Sequence, residues 1–179
     1  MYLHATTGTI DFLSSLQQKH PNVSISARGP EAILYYEDNK EKSIFSTNMT
    51  YDILNEQGSL DEELPLSMFY IPAAGDGTHS LRGHLSDLSE ELRAVNGIVS
   101  YRVGVNTRDE NYIVLIKWAD MSIYNDFKHT DVYKNYLTSE SLKSFRNEES
   151  LFGDYLSSKF YYNIDDNEYT EEEKEELSD

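Results

Sequence analysis

The chain has 179 residues, 15 Lys and Arg against 32 Asp and Glu, a formal charge of −17 and no cysteine. That excess of negative charge opposes phosphate backbones and anionic bilayer surfaces, so no nucleic acid partner is expected. The missing thiols remove disulfides, Cys-ligated metals and thiol nucleophiles. The longest plain apolar run, Tyr112 to Ile116, is far too short to span a bilayer, so no membrane insertion and a cytoplasmic location are expected.

From the N-terminus, residues 2–6 read as a strand, and a helix carrying Ile10, Leu13 and Leu16 ends before Pro21. Residues 23–27 and 33–36 read as two more strands and residues 43–45 as a third, while residues 51–54 begin a short helix. A polar joint, Asp61-Glu62-Glu63-Leu64-Pro65, follows. Met68 to Ile71 form an apolar strand stopped by Pro72, and Gly75-Asp76-Gly77 a turn. Leu81, Leu85, Leu88, Leu92 and Val95 then make one helical stripe that closes near Gly97.

Two strands that read as a hairpin come next, residues 98–105 and 112–118. In the second, Tyr112, Val114, Ile116 and Trp118 alternate with Ile113, Leu115 and Lys117. Asp120 is a good N-cap for a helix with Ile123, Tyr124 and Phe127, disturbed around residues 129–131, before a second helical turn with Val132, Tyr133, Tyr136 and Leu137. The last strand is expected at residues 155–162. The order β-α-β-β-α-β is the ferredoxin-like arrangement, and the first 62 residues read as a degenerate copy of it. The fold class is therefore α+β, divided as a half at 1–62, a domain at 63–164 and a tail at 165–179. The tail holds nine acids and one base, a composition expected to be disordered.

Chemistry is sparse. The histidines are 4, 20, 79, 84 and 129, and His79 and His84 lie about 140° apart round a helix, so no metal site is expected. No catalytic constellation can be placed. Aromatic density stands out on elements that line the space between sheet and helices: Phe69, Tyr70, Tyr101, Tyr112, Trp118, Tyr124, Phe127, Tyr133 and Tyr136. Such rings form either plain core or an apolar pocket for a flat aromatic small molecule. The candidate pocket residues are Phe69, Tyr70, Trp118, Tyr124, Phe127 and Leu137.

The segments Met68-Phe69-Tyr70-Ile71-Pro72, Val95-Asn96-Gly97-Ile98-Val99-Ser100-Tyr101-Arg102, Lys117-Trp118-Ala119-Asp120 and Tyr124-Asn125-Asp126-Phe127-Lys128 resemble the antibiotic biosynthesis monooxygenase superfamily. Within it the chain looks closest to the staphylococcal TRAP proteins (target of RNAIII-activating protein) and the two-part haem monooxygenases of Bacillus. The resemblance spans residues 1–163 and implies a dimeric α+β barrel architecture within one chain, the N-terminal half standing in for a second subunit. Haem-degrading members use an Asn on the first strand of the catalytic half, a Trp on the second helix and a His ten residues after it as axial ligand. Carried over, those positions fall at Tyr70 (or Phe69), Phe127 and Leu137, none of which is the required residue.

Trp118 lies at a strand end, and His129 is eight residues before Leu137, about 80° away round a helix. The resemblance therefore implies a TRAP-like regulatory, stress-related or ligand-binding protein without the haem-degrading triad. A haem-degrading or cofactor-independent monooxygenase is the alternative. No cofactor is expected, and haem would bind only weakly. Two half-sheets that cover each other would leave no large apolar face, so a monomer is expected.

Overall fold

All seven residues of the strand Tyr112–Trp118 are buried, Lys117 among them. A strand in an open sheet, with water on one face, alternates buried and exposed side chains. This one has no wet face because the sheet bends round into a barrel on one side and helices cover it on the other. The computed structural model describes residues 1–72, 74–145 and 156–167.

In chain order the strands are β1 (Tyr2–Thr9), β2 (Ser24–Arg28), β3 (Glu31–Asp38), β4 (Met49–Gln57), β5 (Leu66–Ile71), β6 (Ile98–Asn106), β7 (Tyr112–Trp118) and β8 (Ser157–Tyr161). The helices are α1 (Ile10–Lys19), α2 (Thr78–Arg93), α3 (Met121–Phe127), α4 (Asp131–Tyr136) and α5 (Ser139–Leu142). The strands form one antiparallel sheet in the order β2-β3-β1-β4-β6-β7-β5-β8. The first four and the last four repeat one pattern, so the internal copy expected from the sequence is present in the topology. The free edges meet where Ala27 and Tyr162 exchange backbone hydrogen bonds of 2.8 and 2.7 Å.

The fold class expected from the sequence, α+β with a barrel-like architecture in one chain, is the one observed. The two halves are not separate sheets facing each other, however. β4 pairs with β6 from Tyr51↔Asn106 to Gln57↔Tyr101, which joins them edge to edge. Three local expectations also change. Residues 51–54 belong to β4, whose backbone is claimed by β1 on one side and β6 on the other, so pairing overrides a weak helical pattern. Residues 43–45 form no strand; they lie in an irregular loop between β3 and β4. The last strand is Ser157–Tyr161, while Tyr155 and tail residues 168–179 lie outside the described residues.

Three apolar layers follow from the closure. Leu3, Ala5, Ile33, Tyr35, Tyr51, Leu66, Met68, Ile113, Leu115 and Tyr161 fill the barrel. Outside the C-terminal half, α2 lays Leu81, Leu85, Leu88 and Leu92 on Phe69, Tyr101, Val103, Val114 and Trp118, and α3 to α5 add Phe127, Leu137 and Leu142. Outside the N-terminal half, α1 and the loop after β3 cover a smaller group: Leu13, Val23, Ala32, Leu34 and Phe45. Gly97 returns the chain from α2 into β6 at φ 93°, where a Cβ would come within 2.4 Å of Ile123, so both conformation and space require glycine. Among the described residues no helix is long and apolar enough to cross a membrane.

Candidate functional site

The six aromatic-pocket candidates divide across the sheet. On β5 the side chains of Ser67, Phe69 and Ile71 face the helices, while Leu66, Met68 and Tyr70 face the barrel interior. Phe69, Trp118, Tyr124, Phe127 and Leu137 therefore meet on the helix side, and Tyr70 lies on the other.

The helix-side group is closely packed. The Trp118 ring lies 5.3 Å from Tyr124 and 5.1 Å from Phe127, and Phe127 meets Tyr133 edge-on at 5.9 Å. The Trp118 Nε1–H donates to Ser67 Oγ at 2.8 Å, satisfying the indole without solvent. Phe69, Trp118 and Leu137 are fully buried and Phe127 is 2% exposed. Asp120 caps α3 by accepting from the backbone N–H groups of Ser122 and Ile123 at 2.8 and 3.2 Å, and Thr130 caps α4 by accepting from Tyr133 at 3.3 Å. The Thr130 cap starts a new helix, which explains why the helical pattern breaks at residues 129–131. His129 sits in that break, exposed, while Leu137 points into the core.

The residues that the resemblance sets against a haem do not fit one. Leu137 offers no electron pair to iron, and the rings that would face a porphyrin fill the space themselves. His84 of α2 borders this layer through Tyr136 and Phe145. It stacks on Tyr136 at 4.6 Å and lies 4.8 Å from Phe145, with a buried Nε2 that has no hydrogen-bond partner, and burial lowers its pKa.

Inside the barrel one end is plugged by charge. Arg102 of β6 makes a two-point ion pair with Glu37, Nε to one carboxylate oxygen and Nη2 to the other at 3.2 Å. It also donates to the carbonyls of Gln57, Gly58 and Tyr101. Gly58 presents its carbonyl at φ 71°, and a Cβ there would stand 2.4 Å from the Val99 carbonyl oxygen. Lys117 Nζ donates to the carbonyls of Leu60 and Glu62, both at 2.7 Å, and lies 4.9 Å from the centre of the Tyr35 ring. Burial brings its pKa down from 10.5 to about 8.

A second polar group joins three chain segments outside the N-terminal half. His4 Nε2 lies 3.0 Å from Asp38 Oδ1 and 2.8 Å from the Lys40 carbonyl, which assigns the ring proton to Nε2, and Nδ1 then accepts from Thr50 Oγ1 at 3.0 Å. The order hydroxyl, imidazole, carboxylate resembles a nucleophile relay. His4 is fully buried and Thr50 is 6% exposed, so the hydroxyl cannot meet a substrate. Its work is to tie the loop after β3 onto β1 and β4. Sequence reasoning missed this group because its members lie 34 and 46 residues apart.

The other end of the barrel is open. A pocket of about 280 Å³ lies between the starts of β4, β7 and β8 and the ends of β5 and β6. Met49, Tyr51, Tyr70, Ile71, Pro72 and Tyr112 line it, with the polar Asn106, Asp109, Asn111 and Ser157. Burial raises the phenol pKa values of Tyr51 and Tyr70, so both rings stay neutral at physiological pH. Of the six candidates only Tyr70 reaches this cavity. A shallower groove of about 370 Å³ runs along Tyr124, Lys128, Phe160 and Tyr162 on the outside. Among the described residues no group of His, Asp and Glu could hold a metal ion.

No family model matches the chain. It is 25% identical over 169 residues to a protein of Staphylococcus epidermidis named signal transduction protein TRAP, covering 93% of this chain and 99% of the relative. The protein of that name in Staphylococcus aureus is 21% identical over 160 residues, covering 89% and 96%. Among solved structures, a major regulator of staphylococcal pathogenesis superposes with a TM-score of 0.79 at 19% identity, over 92% of this chain and 99% of that one. A ferredoxin-fold protein of Listeria monocytogenes related to antibiotic biosynthesis monooxygenases gives 0.74 at 20% identity, over 90% and 93%. A heme-degrading enzyme of Listeria monocytogenes gives 0.70 at 17%, over 90% and 99%. The resemblance read from the sequence thus holds: the chain is similar to the TRAP proteins along most of its length and shares the monooxygenase-related ferredoxin fold.

Proposed function

We propose that this chain is a TRAP-like regulatory or ligand-binding protein of the cytoplasm, built on the monooxygenase-related fold and without haem-degrading activity. The observation that carries the reading is Leu137, fully buried in the layer where the haem-degrading pattern requires an axial imidazole. The close packing of Phe69, Trp118 and Phe127 supports it, since a flat ligand would have to displace three buried rings. The full-length likeness to proteins named for signal transduction supports the regulatory half of the proposal.

Haemin with ascorbate, in the presence of catalase, tests it. The wild type should lose Soret absorbance and release iron no faster than free haemin. Leu137→His should strengthen haemin binding and shift the Soret band more than His placed at the exposed Lys134 does. Faster haem loss by the wild type would overturn the reading, and Tyr70, His84 and His129 would then be mutated in turn to find the ligand. We also propose a monomer, because the closed barrel leaves no unpaired sheet face among the described residues. Light scattering should give a mass near 20.6 kDa, and twice that value would contradict it.

A further inference from the structure

We infer that the open end of the barrel binds a small organic cation with apolar substituents, of the quaternary or methylated ammonium class. None of Phe69, Trp118, Tyr124, Phe127 and Leu137 lines this pocket, and the inference goes beyond the functional reading without depending on it.

Four observations support the assignment. The cavity, at about 280 Å³, is roomy enough for a compact ligand. Its walls combine the neutral rings of Tyr51 and Tyr70 with the thioether of Met49, the soft and electron-rich surfaces that attract a weakly hydrated cation. Tyr51 donates its phenol proton to Met49 Sδ at 3.6 Å, and the Tyr70 phenol is paired with Tyr161, so both rings are held in place. Tyr112 contributes wall only: its phenol is engaged by Thr78 Oγ1 at 2.6 Å and by Arg82 Nε at 3.2 Å.

The last observation is charge. Among the described lining residues Asp109 is the one charged group, and no Lys or Arg joins it. Its carboxylate accepts from the Asn111 backbone N–H at 3.0 Å, which fixes it in the β6–β7 turn, and it stands close enough to Tyr51 to help raise that phenol's pKa. For an anion, no cationic lining residue would offset Asp109. A primary ammonium would leave a tightly held water shell for partners that are mostly aromatic. A methylated ammonium presents apolar surface to the rings and its charge to Asp109.

The test uses choline and its uncharged isostere 3,3-dimethyl-1-butanol, followed by calorimetry and ligand-observed NMR on the whole chain. Choline should bind saturably and at least about fivefold more tightly than the isostere. Asp109→Asn keeps an oxygen for the Asn111 N–H and lies in an exposed turn, so the fold should persist while choline affinity falls about fivefold or more. Tyr51→Leu should abolish the preference for the charged ligand. Equal binding of the two probes would show a merely apolar cavity, and no saturation by choline at tens of millimolar would show no site; either overturns the inference. Asp109 is not part of the layer around Leu137, so Asp109→Asn should leave haemin behaviour unchanged, and failure here and failure of the functional reading are separate results.

Discussion

β1 to β4 and β5 to β8 repeat one strand order, yet the outer faces of the two halves are covered in different ways. Among the described residues the C-terminal half carries the four helices α2 to α5 and a continuous layer of buried rings and leucines. The N-terminal half carries α1 alone, and where its second helix would lie the chain makes an irregular loop pinned through His4, Asp38, Lys40 and Thr50. An apolar layer gains with every square ångström it buries, whereas a polar pin works only while each partner is present. The sheet is thus repeated, and the means of holding its cover is not.

The largest way to test that contrast is by truncation. Trp118→Ala removes the biggest side chain of the C-terminal layer and strands Ser67 Oγ, and should cost about 3–5 kcal/mol in urea unfolding. Leu13→Ala, beneath α1, should cost nearer to about 2 kcal/mol, because the smaller layer collapses more readily. Equal costs would show that the two covers are energetically alike.

A smaller effect concerns the barrel interior that both halves share. Lys117 has a folded pKa of about 8, below its ordinary 10.5, so below pH 8 the folded protein carries the full cost of a buried charge. As pH rises from 8 towards 10.5 the folded state sheds its proton before the unfolded state does, and stability rises with pH. Between pH 7.5 and 9.5 the wild type should gain about 1–2 kcal/mol relative to Lys117→Met, read from urea midpoints at each pH. A constant difference would mean that the two carbonyls and the Tyr35 ring hold the ammonium charged.

The smallest expected effects are at the helix starts. Thr130→Ala removes the acceptor for the Tyr133 N–H and should cost about 1 kcal/mol, seen as a lower thermal midpoint. Thr9→Ala, whose bond to the Phe12 N–H is longer at 3.4 Å, should cost about 0.5 kcal/mol. The reverse order would place the tighter cap in the N-terminal half.

Much of the fold was legible because local signals and packing agree. The leucine stripe of α2, the alternation in β7 and the cap at Asp120 were all readable, and each is used as read. The pocket was less so. Period-2 alternation sends Phe69 and Tyr70 to opposite faces, but only the helices over one face and barrel closure over the other make both interior, so candidates chosen by aromatic density alone do not form one pocket. The burial of Arg102 and Lys117 was illegible for the same reason. A lone cation in an apolar strand signals a wet face in an open sheet, while here it belongs to a plug, and apart from the neighbouring Tyr101 its carbonyl partners lie 44 to 57 residues earlier in the chain. Residues 51–54 failed because what decides them is two neighbouring strands, neither of which is local.

The seam between Ala27 and Tyr162 sets an order of events during synthesis. β2 is made within the first 28 residues, but the chain that covers its free edge is among the last described residues to leave the ribosome. For most of translation β2 offers unpaired backbone groups, and once β5 has emerged, its edge towards β8 does the same. Both are templates for a neighbouring nascent chain. A form lacking the chain from β8 onward should therefore be prone to aggregate, and ribosome stalling or truncation just before β8 should be more damaging than the loss of one short strand suggests.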